Sequence, residues 1–162
     1  MTAHDSGGPV FSGSATASFT ATPRAVFDLV TDVRRLPEWN AAITKVLERP
    51  AILEPGAEWL VVVKPAGMPS WRSRSRLTAI DAVHGVFRHR SATDDGNPGY
   101  VEWNWQVVEE PAATRLTVEW TLHPRTFWRK HLIAPWRARV LRTREVPDSL
   151  TALRRALSTT HA

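Results

Sequence analysis

The chain has 162 residues and a formal net charge of +5, with 43% hydrophobic and 23% charged residues. This composition is typical of one globular domain and excludes a disordered or fibrous chain. The absence of cysteine excludes disulfides and thiolate chemistry and leads us to expect a cytoplasmic protein. No apolar run reaches the ~20 residues of a membrane-spanning helix, and no secretory signal is visible at the start.

The first elements are predicted from short patterns. Residues 1–8 are small and polar, and we expect a disordered tail there, followed by a single domain over residues 9–160. Residues 11–20 alternate apolar and polar side chains, which predicts a half-buried strand. Thr22 and Pro23 then provide an N-cap and a first helical residue, and they predict a short helix.

A second short helix or turn over residues 36–39 precedes a region rich in β-patterns. Alternating side chains separated by Gly, Pro, Asp and Asn predict six further strands. Their ranges are 43–48, 58–64, 71–80, 85–91, 100–108 and 116–122.

The strand predicted over residues 71–80 has two chemically different faces. Arg72, Arg74 and Arg76 share one face, and Ser73 and Ser75 lie on the other. The predicted register directs the arginines to solvent. The reversed register would direct them into the interior and would favour an anionic ligand.

The C-terminal segment is predicted to be a long helix. Apolar residues from Trp128 to Val140 follow helical spacing, while Pro135 and Pro147 are expected to kink or split the helix. From His123 onward the chain carries eight Arg and one Lys against two acidic residues. This basic segment is either a solvated helix face or a surface for an acidic partner.

The order of elements defines a fold class. One strand, two short helices, six strands and a long helix indicate an α+β fold with an antiparallel sheet. Since a seven-stranded sheet twists, we expect it to curve around the C-terminal helix.

Several segments follow a pattern known from other proteins. These are residues 21–32 with 36–40 (proline, apolar helix, aspartate, then proline and tryptophan), residues 56–59, Trp105 with residues 114–118, and residues 149–155. They resemble the START-related helix-grip (SRPBCC) superfamily, in particular its polyketide cyclase/dehydrase and lipid-transport group. The resemblance extends over residues 10–158 and implies a deep cavity between sheet and helix. It carries over no catalytic residue, because the catalytic signature of a subfamily is not visible.

Side-chain parity and the resemblance together predict the wall of this cavity. The inward-facing set is Trp59, Trp71, Ser73, Ser75, Phe87, His89, Trp103, Trp105, Trp120, Trp128, Leu132 and Trp136. Mostly aromatic walls with a few polar groups are typical of small-molecule pockets. The alternative is that the tryptophans fill the core and that the serines only leave room for the rings.

Motifs for chemistry are sparse. The six histidines lack zinc-binding spacing, and no phosphate loop, dinucleotide fingerprint or nucleophile elbow occurs, so we expect no metal and no cofactor. His89 shares the parity of Phe87 and is the one weak candidate for a general base.

Three functional hypotheses remain. The first is binding or transport of a hydrophobic small molecule such as a lipid or polyketide. The second is an aromatase/cyclase or dehydratase that acts on polyketide-type substrates delivered by an acidic acyl carrier, with His89 and Ser73 or Ser75 moving protons. The third is an interaction protein that uses its basic helix. We expect no nucleic-acid partner, and both a monomer and a homodimer remain open.

Overall fold

The computed structural model describes residues 11–126 and 129–159. Within them, seven strands form one antiparallel sheet in the order β1-β7-β6-β5-β4-β3-β2. The strands are β1 (Phe11–Phe19), β2 (Ile43–Glu48), β3 (Glu58–Val63), β4 (Trp71–Asp81), β5 (Val86–Thr93), β6 (Tyr100–Glu110) and β7 (Ala113–His123). The predicted α+β class and the seven strands are confirmed. The tail expected over residues 1–8 lies outside the described residues, and the limits of the domain stay a prediction.

The short helices follow β1 as predicted. They are α1 (Pro23–Thr31) and α2 (Leu36–Trp39), joined by a 3₁₀ turn over Val33–Arg35. The Thr22 hydroxyl oxygen accepts a hydrogen bond from the Ala25 N–H at 3.2 Å, which confirms the predicted cap.

The C-terminal helix is continuous from Arg129 to Thr159 but is not uniform. A π-helical turn (Arg129–Ile133) precedes α3 (Ala134–Val140), and a second π-helical turn (Leu141–Glu145) precedes α4 (Val146–Thr159). Pro135 and Pro147 are each the second residue of an α-helical segment. Of the two predicted effects, kinking and splitting, the split does not occur in the described residues. The wider turn before each proline accommodates the missing N–H donor without a break in the helix.

The core lies between the concave face of the sheet and the helices. Val26 and Leu29 of α1, Leu116 and Val118 of β7, and Leu153 of α4 are buried there. The Ser149 hydroxyl of α4 accepts a hydrogen bond from the Ala41 N–H at 2.9 Å and so fixes the helix to the chain that follows α2.

The register of β4 is the predicted one. Ser73 and Ser75 are buried on the concave side, whereas Arg74 on the opposite face contacts Glu48 and Asp94, each at 3.0 Å. The reversed register, with arginines lining the interior, does not occur.

Candidate functional site

A cavity of about 370 Å³ lies inside the curved sheet. Its walls come from strands β2 to β7, from α1, α2 and the turn between them, and from the first half of the C-terminal helix. Val30, Leu36, Val61 and Val101 contribute aliphatic surface, and aromatic rings cover much of the remainder.

Eight of the twelve side chains predicted for the wall line this cavity. They are Trp59, Trp71, Ser73, Ser75, Phe87, His89, Trp103 and Trp105. All eight belong to strands, where the two-residue period determines which side chains point inward. Their contact with a ligand stays a prediction.

Trp120 has the predicted parity but a different role. Its buried ring packs over Gly13 and under the Arg142 guanidinium, 5.9 Å from the ring centroid. Within the part of the chain that the structure describes, it belongs to the core and not to the cavity wall. Helix α1 packs against β7, and the C-terminal helix packs against the neighbouring β1 and places Arg142 over the Trp120 ring.

Two of the three helical residues of the prediction, Leu132 and Trp136, do not line the cavity. Leu132 and Trp136 are 61% and 40% exposed, and Trp128 lies outside the described residues. The described residues of this helix that line the cavity are Arg129, Ile133, Ala134, Arg137 and Glu145. A π-helical turn contains an extra residue, which rotates the following face relative to a regular helix.

The aromatic wall is a continuous series of ring contacts. His89 lies 5.3 Å from Trp59, 5.2 Å from Phe87 and 6.2 Å from Trp103, measured between ring centroids. Trp103 stacks on Trp105 at 6.0 Å. Such pairs are individually weak but together give a rigid apolar surface.

His89 is held in one protonation state by its surroundings. The Trp105 Nε1–H donates a hydrogen bond to His89 Nε2 at 3.2 Å. Because an indole N–H can only donate, Nε2 keeps its lone pair and the ring proton resides on Nδ1. Burial lowers the pKa of His89 from 6.5 to about 3, so the ring is neutral at neutral pH. The one available lone pair is already occupied, and this geometry does not support a general base.

Four hydroxyl side chains form a polar region of the wall, which we call the hydroxyl patch: Ser73 and Ser75 on β4, and Ser91 and Thr93 on β5. Ser73 is the register partner of Thr93, and Ser75 is the partner of Ser91. Neither Ser91 nor Thr93 is among the predicted wall residues: the predicted strand 85–91 stops before Thr93, and Ser91, its last residue, was not assigned to the inward set. Their shared parity with His89 was the signal that could have found them.

A second polar feature comes from the C-terminal helix. Arg137 and Glu145 form a two-point ion pair, with Arg137 Nη2 and Glu145 Oε1 at 3.0 Å, and both line the cavity. The Arg137 guanidinium also lies 5.6 Å from the ring centroid of Trp71. Sequence analysis treated the arginines of this segment as surface residues and gave no indication that one of them is buried.

The described residues contain neither a cluster of metal-binding side chains nor a membrane-spanning helix. Across 11–126 and 129–159, no three histidine or carboxylate side chains converge on a common point. No helix within these same ranges is long and apolar enough to cross a membrane.

The curved sheet, the long helix and the cavity between them define a helix-grip protein. Residues 11–158 match the family described as polyketide cyclase/dehydrase and lipid transport, and the chain belongs to this family. A search of curated protein sequences finds no match.

Solved structures share the same architecture. A protein from Thermus thermophilus superposes with a TM-score of 0.72 and 18% identity, covering 93% of this chain and 99% of that chain. The Zhui aromatase/cyclase from a Streptomyces species gives 0.65 and 21%, covering 92% of each chain. The di-domain aromatase/cyclase StfQ of the steffimycin biosynthetic pathway gives 0.74 and 7%, covering 94% of this chain and 52% of that chain. At these identities the likeness establishes the fold.

Proposed function

We propose that this protein binds a compact hydrophobic small molecule in its cavity and acts as a carrier or binding module. The observation that supports this most directly is the aromatic wall around an interior space of about 370 Å³. Small-molecule sites have volumes of roughly 300–1,000 Å³ and mostly apolar linings with a few convergent polar groups. The cavity lies near the lower limit, which favours a fused-ring compound over a lipid with two long chains.

The environment of His89 favours binding over acid–base catalysis. Its Nε2 accepts from Trp105, and its pKa of about 3 leaves little basicity at neutral pH. A general base works best when its pKa is close to the working pH. The histidine therefore contributes shape and polarity to the wall.

Ligand binding is tested with the purified full chain. Native mass spectrometry would detect a copurified molecule, and a panel of fused-ring compounds and fatty acids would be scored by the rise in unfolding temperature. Trp103→Ala should weaken binding of a hit by about tenfold or more through loss of ring contact. Trp136→Ala is the matched control, because Trp136 is 40% exposed and lies away from the wall. Binding by no compound, or equal effects of the two variants, would argue against this function.

The second candidate is an aromatase/cyclase or dehydratase. It is favoured by the likeness to Zhui and StfQ and by the buried Arg137–Glu145 pair, which places a hydrogen-bond donor beside the ligand space. Ring closure in such a reaction joins a nucleophilic carbon to a ketone carbon, and dehydration then releases water. If the wild-type protein converts a poly-β-ketone substrate into a cyclised product and the Arg137→Met variant does not, turnover is established. If the wild-type protein leaves the substrate unchanged, this catalytic role is excluded and the binding role remains.

An acidic acyl carrier is the proposed partner for either role. Arg139, Arg144 and Arg155 are exposed on the C-terminal helix and give it a positive surface. Reversing the three charges to Glu should abolish an association with an acidic carrier that weakens with salt. If neither the charge reversal nor added salt weakens the association, the positive surface of the C-terminal helix is not the binding site of the carrier.

A further inference from the structure

We infer that the hydroxyl patch selects ligands that carry uncharged oxygen functions along one edge of a ring system. This inference rests on the proposed binding function and adds the chemical class of the ligand. It concerns Ser73 and Ser75 as specificity-determining residues, supported by Ser91 and Thr93.

The register places the four hydroxyls together. Ser73 and Thr93 are opposite each other, as are Ser75 and Ser91, and all four line the cavity. Neighbouring strands are about 4.8 Å apart, and residues two positions apart on one strand are separated by about 7 Å. The patch therefore has the dimensions of one edge of a small fused-ring molecule.

The β4 serines have unused hydrogen-bonding capacity. Ser73 and Ser75 are only 7% and 4% exposed, and no side-chain hydrogen bond between described residues uses either hydroxyl. A hydroxyl without a protein partner can both donate to and accept from a neighbouring molecule. Both residues border the cavity, so an oxygen of the occupant is positioned to complete the pairing.

The Ser91 and Thr93 hydroxyls of β5 each make one hydrogen bond within the protein and can still make another. Ser91 Oγ accepts from the Trp103 Nε1–H at 3.0 Å, which leaves its own O–H free to donate. Thr93 Oγ1 donates to Asp95 Oδ1 at 2.7 Å, which leaves its lone pairs free to accept. The patch can thus serve ketone and hydroxyl oxygens alike.

The charges around the cavity are already matched to one another. Arg137 pairs with Glu145, and Arg129 lies 3.5 Å from Asp95. A carboxylate ligand would add a negative charge for which the described lining residues offer no unpaired arginine. A neutral oxygen avoids that cost, and the aromatic rings of β5 and β6 would cover the apolar remainder of the ligand.

The test uses calorimetry to compare three probes that share one tricyclic ring system and differ at carbon 9: fluorene, 9-fluorenone and fluorene-9-carboxylate. The variant is Ser73→Ala/Ser75→Ala, which removes no hydrogen bond within the described residues and so should fold normally. Thr78→Ala on the exposed face of β4 is the matched control. We expect the double variant to lower the ratio of 9-fluorenone affinity to fluorene affinity by about 5–20-fold through the lost hydrogen bonds, and Thr78→Ala to leave that ratio unchanged.

The outcomes separate this inference from the proposed function. If wild type binds fluorene and 9-fluorenone and the double variant leaves their ratio unchanged, the role of the patch is wrong while the binding function stands. Tighter binding of the carboxylate than of the ketone would overturn the selection for uncharged ligands. Binding of none of the three probes, together with no hit in the wider panel, would overturn the binding function and this inference with it.

Discussion

At the scale of single residues, the contact between Gly13 and Trp120 leaves no room for a larger side chain at position 13. A Cβ atom at position 13 would lie 2.2 Å from a ring carbon of Trp120. The backbone at Gly13 does not need a positive φ, so ring packing alone requires the glycine.

Gly13→Ala should therefore lower the free energy of unfolding by about 1–3 kcal/mol, because the added methyl group overpacks the core. Urea unfolding of the two proteins measures this difference. Ser14→Ala is the control, since Ser14 is the neighbouring residue on the exposed face of β1. Equal losses for the two variants would show that the ring contact is not the cause.

His89 should make stability depend on pH. Its pKa is about 3 in the folded chain, below the ordinary 6.5, so protons bind preferentially to the unfolded chain. Its contribution is complete above about pH 6.5 and is lost as the pH falls toward 3. Between pH 7 and pH 5 the loss should be about 1–2 kcal/mol. His89→Phe should lack this component, and parallel stability curves for the two proteins would contradict the assignment.

The residues of the wall show how far the sequence leads at this scale. The alternation of side chains predicted that Trp59, Trp71, Ser73 and Ser75 point toward the interior, where they line the cavity. Once one residue of a strand is known to face inward, every second residue of that strand faces inward too. Parity did not distinguish Trp103, which lines the cavity, from Trp120, which fills the core on the adjacent strand. That difference depends on where the helix covers the sheet, which is not encoded within the strand.

At the scale of elements, the C-terminal helix departs most from expectation. The spacing of apolar residues predicted that this helix exists, but it did not predict the two π-helical turns. Extrapolating a 3.6-residue period through the first turn assigned Leu132 and Trp136 to the cavity, whereas Ile133 and Arg137 occupy it. Proline positions indicate an irregularity without specifying whether the helix breaks or widens.

Ser149 should stabilise the docking of α4. Replacing it with Ala leaves the Ala41 N–H without its partner and should cost about 1–3 kcal/mol of unfolding free energy. Ser158→Ala in the same helix is the control, because that exposed hydroxyl bonds only to the Arg154 carbonyl of its own helix. A chemical denaturation series measures the two variants, and a Ser149 effect no larger than that of Ser158 would refute this role.

At the scale of the whole molecule, the two edges of the sheet are protected in different ways. Arg142 and Arg154 of the C-terminal helix donate to the Ser12 and Ser18 carbonyls of β1, at 3.1 and 3.0 Å. At the other edge, β2 has two shifts of register against β3. Both arrangements discourage a further strand from pairing. Some arginines of the basic segment therefore serve the fold.

The amides of β2 should exchange with solvent faster than those of β7. β2 is an irregular edge strand, whereas β7 pairs with both β1 and β6 and carries buried side chains on one face. Hydrogen exchange followed by mass spectrometry resolves the two strands. Protection of β2 equal to that of β7 would mean that the sheet opens only as a unit.

Strand order was accessible from sequence because nearly all neighbours in the sheet are also neighbours in the chain. Only β1 pairs across a long separation, with β7. The cavity itself was inferred from resemblance, since its volume depends on how α1, α2 and the helix approach the sheet.

The distribution of tryptophan has a spectroscopic consequence. Of the seven indoles within the described residues, those of Trp59, Trp71, Trp103 and Trp105 border the interior space, and Trp103 and Trp105 are close enough to share excitation. Entry of an absorbing guest should quench their emission, while the solvent-facing Trp136 emits at longer wavelength and serves as an internal reference. Ligand binding and release can thus be followed in real time by intrinsic tryptophan fluorescence, without an attached dye.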